Sequence, residues 1–128
     1  MSRFLSDFIG RFSRDQRTAT LHMPLIYRSD LLGSDVEVPA GFETDFASVP
    51  RGLWNIFPPL GLYGEPAIVH DFLYRTQPVD RKTADLVFLE AMKAKGCRWT
   101  QRQALYRAVR LFGWPAWYYN ARRLEVYS

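Results

Sequence analysis

Four polar side chains that could carry acid–base chemistry lie in two neighbouring apolar segments: His70, Asp71 and Tyr74 in one, and Asp85 in the next. Burying a histidine or a carboxylate without partners costs free energy, so each needs a hydrogen-bonding group nearby. A carboxylate on one ring nitrogen of His70 fixes the tautomer and leaves the other nitrogen free as a base. Asp71 is then available for a hard cation such as Ca²⁺, which prefers oxygen ligands. The alternative is a buried polar network that fixes helix packing.

The first of these segments has the spacing of a helix. His70 and Tyr74 are four residues apart, and Asp71 and Tyr74 are three apart, so the three side chains lie along one helix edge. Pro66 suits the first turn, and the helix is predicted to reach about Arg75.

Asp85 belongs to a second predicted helix, from Arg81 to Lys95. Asp80 precedes this helix as its N-cap, and Gly96 is expected just past its end. If the two helices are antiparallel neighbours joined by a short loop, Asp85 faces His70 and is the first choice as its carboxylate partner.

A further polar stretch lies upstream, at residues 44–51. Asp45 and Ser48 are three apart just before an apolar segment, so both are candidates for capping the backbone. In the functional interpretation Asp45 is a further carboxylate near His70, the second choice as its partner, and Arg51 clamps an anion or a carboxylate.

The order of the predicted elements indicates a single α+β domain over residues 1–128. Apolar and charged residues in 2–13 have the spacing of an amphipathic helix. Short β-compatible segments between turns predict a small antiparallel sheet over about 17–46. A helical region over about 48–120 follows, as a bundle of three to four helices that begins with a short helix capped by Ser48.

Composition narrows the class of protein. Of the 128 residues, 48% are apolar and 16% aromatic, which excludes a disordered chain. The single cysteine, Cys97, rules out an intramolecular disulfide and fits a reducing compartment. No segment approaches the roughly 18 apolar residues of a membrane span. The N-terminus also lacks the unbroken apolar core of a signal peptide.

Basic and aromatic residues alternate in the C-terminal third. From Lys93 onward there are eight basic residues and one acid, Glu125. Aromatic rings mixed with arginine are typical of protein interfaces, and they also bind single-stranded nucleic acid or a lipid headgroup layer. A solvated basic face is the simplest alternative. We predict an interface formed by six residues: Trp114, Trp117, Tyr118, Tyr119, Arg122 and Arg123.

The pattern H-D-x-x-Y at 70–74, followed by A-D-x-x-F at 84–88, resembles the paired-helix active site of the phospholipase A2 superfamily. In that family the histidine is the general base for water and the adjacent aspartate holds Ca²⁺. The tyrosine and the second-helix aspartate support the histidine. The resemblance implies these roles for His70, Asp71, Tyr74 and Asp85. Residues 61–64 stand upstream where a calcium loop would be, but the segment is short, and the helix-linking disulfides of the secreted enzymes are absent.

A second resemblance covers about residues 38–88. The stretch V-P-A-G-F-x-T-D-F-A-S-V-P-R at 38–51 is followed by H-D-x-L-Y-R at 70–75 and R-x-x-A-D-x-x-F at 81–88. Together they resemble the signature of a family of small uncharacterised proteins encoded by tailed bacteriophages and prophages. The resemblance implies a phage gene product, expected in the virion or, before assembly, in the host cytoplasm.

Three function classes follow. The main prediction is a virion- or tail-associated accessory or structural protein with a phospholipase A2-like His–Asp site, whose activity the sequence leaves open. The second is an active Ca²⁺-dependent ester hydrolase that acts on the host envelope. The third is a metal phosphohydrolase of the His–Asp type, which V-H-D at 69–71 also resembles, but only His22 is available as a further histidine ligand. Other phage structural proteins are the expected partners, with a host membrane surface and self-association as alternatives, and nucleic acid is disfavoured.

Overall fold

The computed structural model describes residues 1–15, 17–50, 52–53 and 62–127. Within these residues, short strands in the first part of the chain are followed by four helices. The predicted α+β arrangement is confirmed. The short helix predicted after Ser48 falls largely outside the described residues.

The strands form two antiparallel sheets of three strands each. Their bounds are β1 (Arg3–Phe4), β2 (Gly10–Phe12), β3 (Ala19–Leu21), β4 (Leu25–Ser29), β5 (Ser34–Val38) and β6 (Glu43–Thr44). The first sheet has the strand order β1-β4-β5, and the second has the order β2-β3-β6. The sequence pattern predicts one sheet over a shorter range, because the first strands have the spacing of a helix.

The segment 2–13, predicted as an amphipathic helix, is extended, and that prediction is wrong. β1 pairs with β4, and the Phe4 ring lies 4.7 Å from the ring of Tyr27. β2 pairs with β3, where a Cβ on Gly10 would overlap the carbonyl oxygen of Thr20. Pairing covers strand edges that would otherwise stay open and buries aromatic rings, and these long-range gains outweigh the local helical spacing.

Four helices follow: α1 (Gly64–Thr76), α2 (Arg81–Ala94), α3 (Trp99–Phe112) and α4 (Trp114–Tyr127). The Asp80 carboxylate accepts the Thr83 N–H at 2.9 Å, and Gly96 has a φ of 85° just past α2. The predicted caps of this helix are confirmed. In the part of the chain that the structure describes, no helix combines the length and the hydropathy needed to cross a membrane.

Helix α1 lies at the centre of the molecule, where it packs on α2, α4, β5 and β6. Its apolar side chains Ile68 and Leu73 are 1% exposed, and the polar side chains His70 and Asp71 are buried among them. The candidate site is therefore part of the hydrophobic core.

Glu90 of α2 joins the helices to the first sheet. Its carboxylate accepts the hydroxyls of Tyr27 and Ser29, each at 2.7 Å, and the N–H of Leu31 at 2.9 Å. The β4–β5 hairpin is thereby held against α2.

Candidate functional site

Asp85 is the centre of a buried polar network that joins three helices. Its Oδ1 lies 2.7 Å from Nε2 of His70 and accepts the Tyr74 hydroxyl at 2.7 Å. Its Oδ2 accepts a hydrogen bond from Arg110 at 2.7 Å and lies 3.5 Å from Nη1 of Arg81. The predicted contact between His70 and Asp85 is confirmed, and both carboxylate oxygens have partners.

The second ring nitrogen of His70 is also engaged. Its Nδ1 lies 3.0 Å from Oγ of Ser48, so Ser48, His70 and Asp85 form a continuous hydrogen-bonded chain. Ser48 is 1% exposed, and His70 and Asp85 are 0% exposed. In this arrangement neither ring nitrogen is free for water or for a substrate, and His70 can act as a base only towards the Ser48 hydroxyl. Ser48, predicted as a backbone cap, is the partner of His70.

Asp71 is held by a strand of the second sheet. The Thr44 hydroxyl donates to Oδ2 of Asp71 at 2.5 Å, and Nη2 of Arg75 lies 3.8 Å from the same oxygen. The Arg75 guanidinium also lies over the ring of Phe42, 5.2 Å from its centroid. Among the described residues, Asp71 therefore shares no hydrogen-bonding partner with Asp85, and it connects α1 to β6.

The Thr44 hydroxyl also stabilises the turn that leads to Ser48. Thr44 Oγ1 accepts the N–H of Phe46 at 3.1 Å, and Phe46 has a φ of 57°, which bulky residues seldom adopt. A strained conformation of this kind persists only where its surroundings over-determine it. Here the Thr44 bond and the burial of Phe46 hold the turn that places Ser48 on His70.

The pKa values of the two buried carboxyl groups, Asp85 and Asp71, are shifted in opposite directions. Burial alone would raise the pKa of Asp85, but the hydrogen bond and charge of His70, with the bonds from Tyr74 and Arg110, outweigh burial and lower it. Burial raises the pKa of Asp71, and the Thr44 hydroxyl and the Arg75 charge oppose this only in part. Asp85 is therefore a stable anion, whereas Asp71 is closer to protonation.

Asp71 does not fit the role of a Ca²⁺ ligand with the residues described. Calcium takes about six to eight oxygen ligands, and Asp71 Oδ2 is already shared by Thr44 and Arg75. Among the residues that the structure describes, no group of three or more His, Cys, Asp or Glu side chains is placed to hold a metal ion. Gly61, the first residue of the segment that stands where a calcium loop would be, lies outside the described residues.

Among the described residues, Asp45 is not one of the hydrogen-bonding partners of His70. Asp45 Oδ1 accepts the N–H of Ala47 at 3.0 Å, so its side chain caps the backbone, as the simpler interpretation predicts. Arg51 lies outside the described residues.

Two arginines of the network were missed in the sequence. Arg81 lies four residues before Asp85, and this i,i+4 spacing was a usable signal. Its guanidinium also donates to the carbonyl of Val109 at 3.0 Å and so fastens α3. Arg110 carries no such signal, because only the packing of α3 on α2 brings it to Asp85.

Most of the chain matches a known protein family. The model of a family described as "Protein of unknown function (DUF1353)" matches residues 4–109. The chain belongs to the DUF1353 family. This match spans both sheets, α1, α2 and most of α3, and it includes the whole polar network except Arg110. No curated protein and no solved structure matched the chain.

Helix α4 lies outside the part matched by the DUF1353 model, and it exposes aromatic rings. Trp114, Tyr118 and Tyr119 are 54%, 61% and 64% exposed, and Arg122 and Arg123 are exposed on the same helix. We call these five residues the aromatic face. Rings of Trp114 and Tyr118 lie 6.5 Å apart, and the Arg123 guanidinium lies 6.0 Å from the Tyr119 ring.

Trp117, the sixth residue of the predicted interface, is half-buried. Its ring meets that of Tyr74 edge-on, with centroids 5.1 Å apart, and its carbonyl accepts a hydrogen bond from the Gln77 side chain at 2.8 Å. Trp117 therefore anchors α4 to α1, and of the four predicted interface rings it is the one that is half-buried.

Proposed function

We propose that the chain is a phage-encoded, virion- or tail-associated accessory protein that binds another protein of the particle through the aromatic face. In this proposal the buried network is a scaffold. The exposure of three aromatic rings on one helix is the observation that carries the proposal.

The scaffold role is supported by the way the network closes on itself. Both ring nitrogens of His70 and both carboxylate oxygens of Asp85 have protein partners. These partners come from α1, α2, α3 and the turn that holds Ser48, so one anion connects four parts of the fold. Breaking a buried charge pair of this kind costs about 3–5 kcal/mol, which suits a structural element.

The docking role is supported by the chemistry of the aromatic face. Tryptophan, tyrosine and arginine are the residues that most often dominate the binding energy of protein interfaces. Contiguous exposed rings on a monomer mark an interaction site. Because Arg122 and Arg123 flank the rings, the partner surface we expect is an apolar groove with an acidic rim.

The phage context is supported by the resemblance of residues 38–88 to proteins of tailed bacteriophages and prophages. The aromatic face lies beyond that resemblance and beyond the DUF1353 match. We therefore assign the shared scaffold to residues 4–109 and partner recognition to α4.

The test is incorporation into particles of the phage that encodes the chain. A variant with Trp114, Tyr118 and Tyr119 changed to serine is expected to lose about tenfold or more of its particle-bound amount, because each exposed anchor supplies part of the binding energy. Quantitative mass spectrometry of purified particles measures this amount. Incorporation of the variant at the wild-type level would overturn the proposal.

The matched control is Trp99→Ser. Trp99 is 61% exposed in the first turn of α3, so the change removes a comparable ring away from α4. Binding of the isolated protein to the particle at low and high salt separates the partner classes. Nucleic-acid binding falls steeply with salt, whereas binding centred on aromatic rings depends on salt much less.

A second candidate function is ester hydrolysis of the phospholipase A2 type. It is favoured by one observation: Nε2 of His70 contacts Oδ1 of Asp85, the oxygen that also accepts the Tyr74 hydroxyl. This contact leaves Nδ1 of His70 as the basic nitrogen. The basic nitrogen faces Ser48 at 3.0 Å, so a substrate or water would first have to displace that hydroxyl.

Phospholipid vesicles with Ca²⁺ or with a chelator test this second candidate. Release of fatty acid by the wild-type chain, lost in His70→Gln and retained in Trp99→Ser, would favour the hydrolase. Under the docking proposal no release is expected in either condition.

A further inference from the structure

An open cavity of about 310 Å³ lies along β5. Four consecutive residues of that strand, 34–37, line it. Successive side chains of a strand point to opposite faces of the sheet. Four consecutive residues can therefore line the same cavity only if the cavity runs along the edge of the strand. The cavity therefore borders the main chain of β5.

This edge of β5 is free of a strand partner in the described part of the chain. The first sheet has the order β1-β4-β5, so β4 occupies one side of β5 only. Alternate residues of an antiparallel strand direct their N–H and C=O groups away from the paired neighbour. Such an edge is a template for one more strand.

The opposite wall of the cavity is apolar. It is formed by Phe72 and Leu73 of α1 and by Pro78 and Val79 in the loop before α2. An extended chain lying on β5 would place every second side chain between this wall and Val36.

The other face of the edge is acidic. Asp35 and Glu37 are exposed and alternate with the buried Val36 and Val38. Oδ1 of Asp35 lies 3.0 Å from the Arg28 side chain, and no cation among the described residues pairs with Glu37. The whole chain has a net charge of +4, so the charge of this strand edge is opposite in sign to that of the chain.

We propose that β5 binds an extended segment of a partner protein in which apolar and basic residues alternate. The main chain of the segment would hydrogen-bond to β5, its apolar side chains would fill the cavity, and its lysines or arginines would lie opposite Asp35 and Glu37. This surface is separate from the aromatic face, so the inference does not rest on the proposed function.

A second copy of the chain is a poorer occupant. Antiparallel pairing of two β5 edges would bring the acids Asp35 and Glu37 of both copies together, and like charges opposite each other are unfavourable. In the described part of the chain, the other free edges belong to β1, β2 and β6, which have two, three and two residues and are too short to cover residues 34–37.

The experiment uses the full chain and a short fluorescent peptide of alternating lysine and valine. Saturable binding by fluorescence anisotropy is expected, with amide NMR shifts confined to residues 34–37 and the apolar wall. The same peptide N-methylated at every residue cannot donate main-chain hydrogen bonds, and its saturable binding is expected to disappear. Equal binding of both peptides, or no binding of the first, would overturn the proposal.

Charge reversal supplies the matched control. Glu37→Lys is expected to weaken binding about tenfold or more, since it places a like charge opposite the peptide lysine. Glu43→Lys, an exposed glutamate on the strand β6 of the other sheet, is expected to change binding by less than about twofold. An equal loss in both variants would refute recognition at β5. A dimer in sedimentation, with the amide NMR signals of residues 34–37 shifting on dilution, would show that the occupant is a second copy instead.

Discussion

Arg110 of α3 donates to Asp85 of α2 at 2.7 Å, through the carboxylate oxygen that His70 does not use. This ion pair neutralises the one buried anion on which His70 and Tyr74 both depend. Arg110 lies near the end of α3, four residues before α4 begins at Trp114.

Asp85→Asn is expected to destabilise the protein by about 3–5 kcal/mol, because it leaves Arg110 and Arg81 without the charge that compensates them. Chemical denaturation measures the loss. Asp35→Asn is the control, since its pair with Arg28 is exposed and such pairs contribute about 0–1 kcal/mol. Equal small losses in the two variants would contradict the central role of Asp85.

The two buried carboxylates are expected to give opposite pH dependences. The lowered pKa of Asp85 means that its contribution is complete above the usual value of 3.8 and is lost as the pH falls below it. The raised pKa of Asp71 means that its ionised form opposes folding, so stability is gained as the pH falls through the raised pKa towards 3.8.

Unfolding free energies of the wild type, Asp85→Asn and Asp71→Asn between neutral and acid pH test this. The advantage of the wild type over Asp85→Asn should shrink below about pH 4. The unfolding free energy of the wild type relative to that of Asp71→Asn should increase as the solution is acidified. Parallel curves for all three proteins would show that neither carboxyl has the assigned shift.

Gly113→Ala is expected to destabilise the protein by about 1–3 kcal/mol. Gly113 has a φ of −81° that alanine adopts freely, but its Cβ would lie 2.5 Å from both the Tyr74 hydroxyl and the Val109 carbonyl oxygen. Thermal melts check this against Gly52→Ala, whose Cβ meets no described atom within 4 Å. A neutral Gly113→Ala would mean that α3 and α4 are not packed closely on Tyr74.

The Cys97 thiol is expected to react slowly with a thiol reagent at pH 8. It is 2% exposed, and burial raises its pKa to about 11, so very little thiolate is present. Labelling in denaturant provides the fully reactive reference. Rapid labelling of the folded protein would place Cys97 at the surface.

Several features of this protein follow from the sequence because they depend on residues close together in the chain. The ends of α2 are determined by Asp80 and Gly96, whose caps act within a few residues. The pairing of His70 with Asp85 also follows, since two helices joined by a short loop must satisfy their buried polar groups against each other.

Other features were decided only by the tertiary structure. Residues 2–13 have helical spacing but become strands, because β3 and β4 offer edges that only the folded chain brings near. Ser48 and Arg110 reach the network from segments 22 and 25 residues away along the chain from their partners. Trp117 is half-buried because α4 packs on Tyr74. Local spacing shows which side chains share a face of one element, but only the packing of distant elements selects the partner that each face meets.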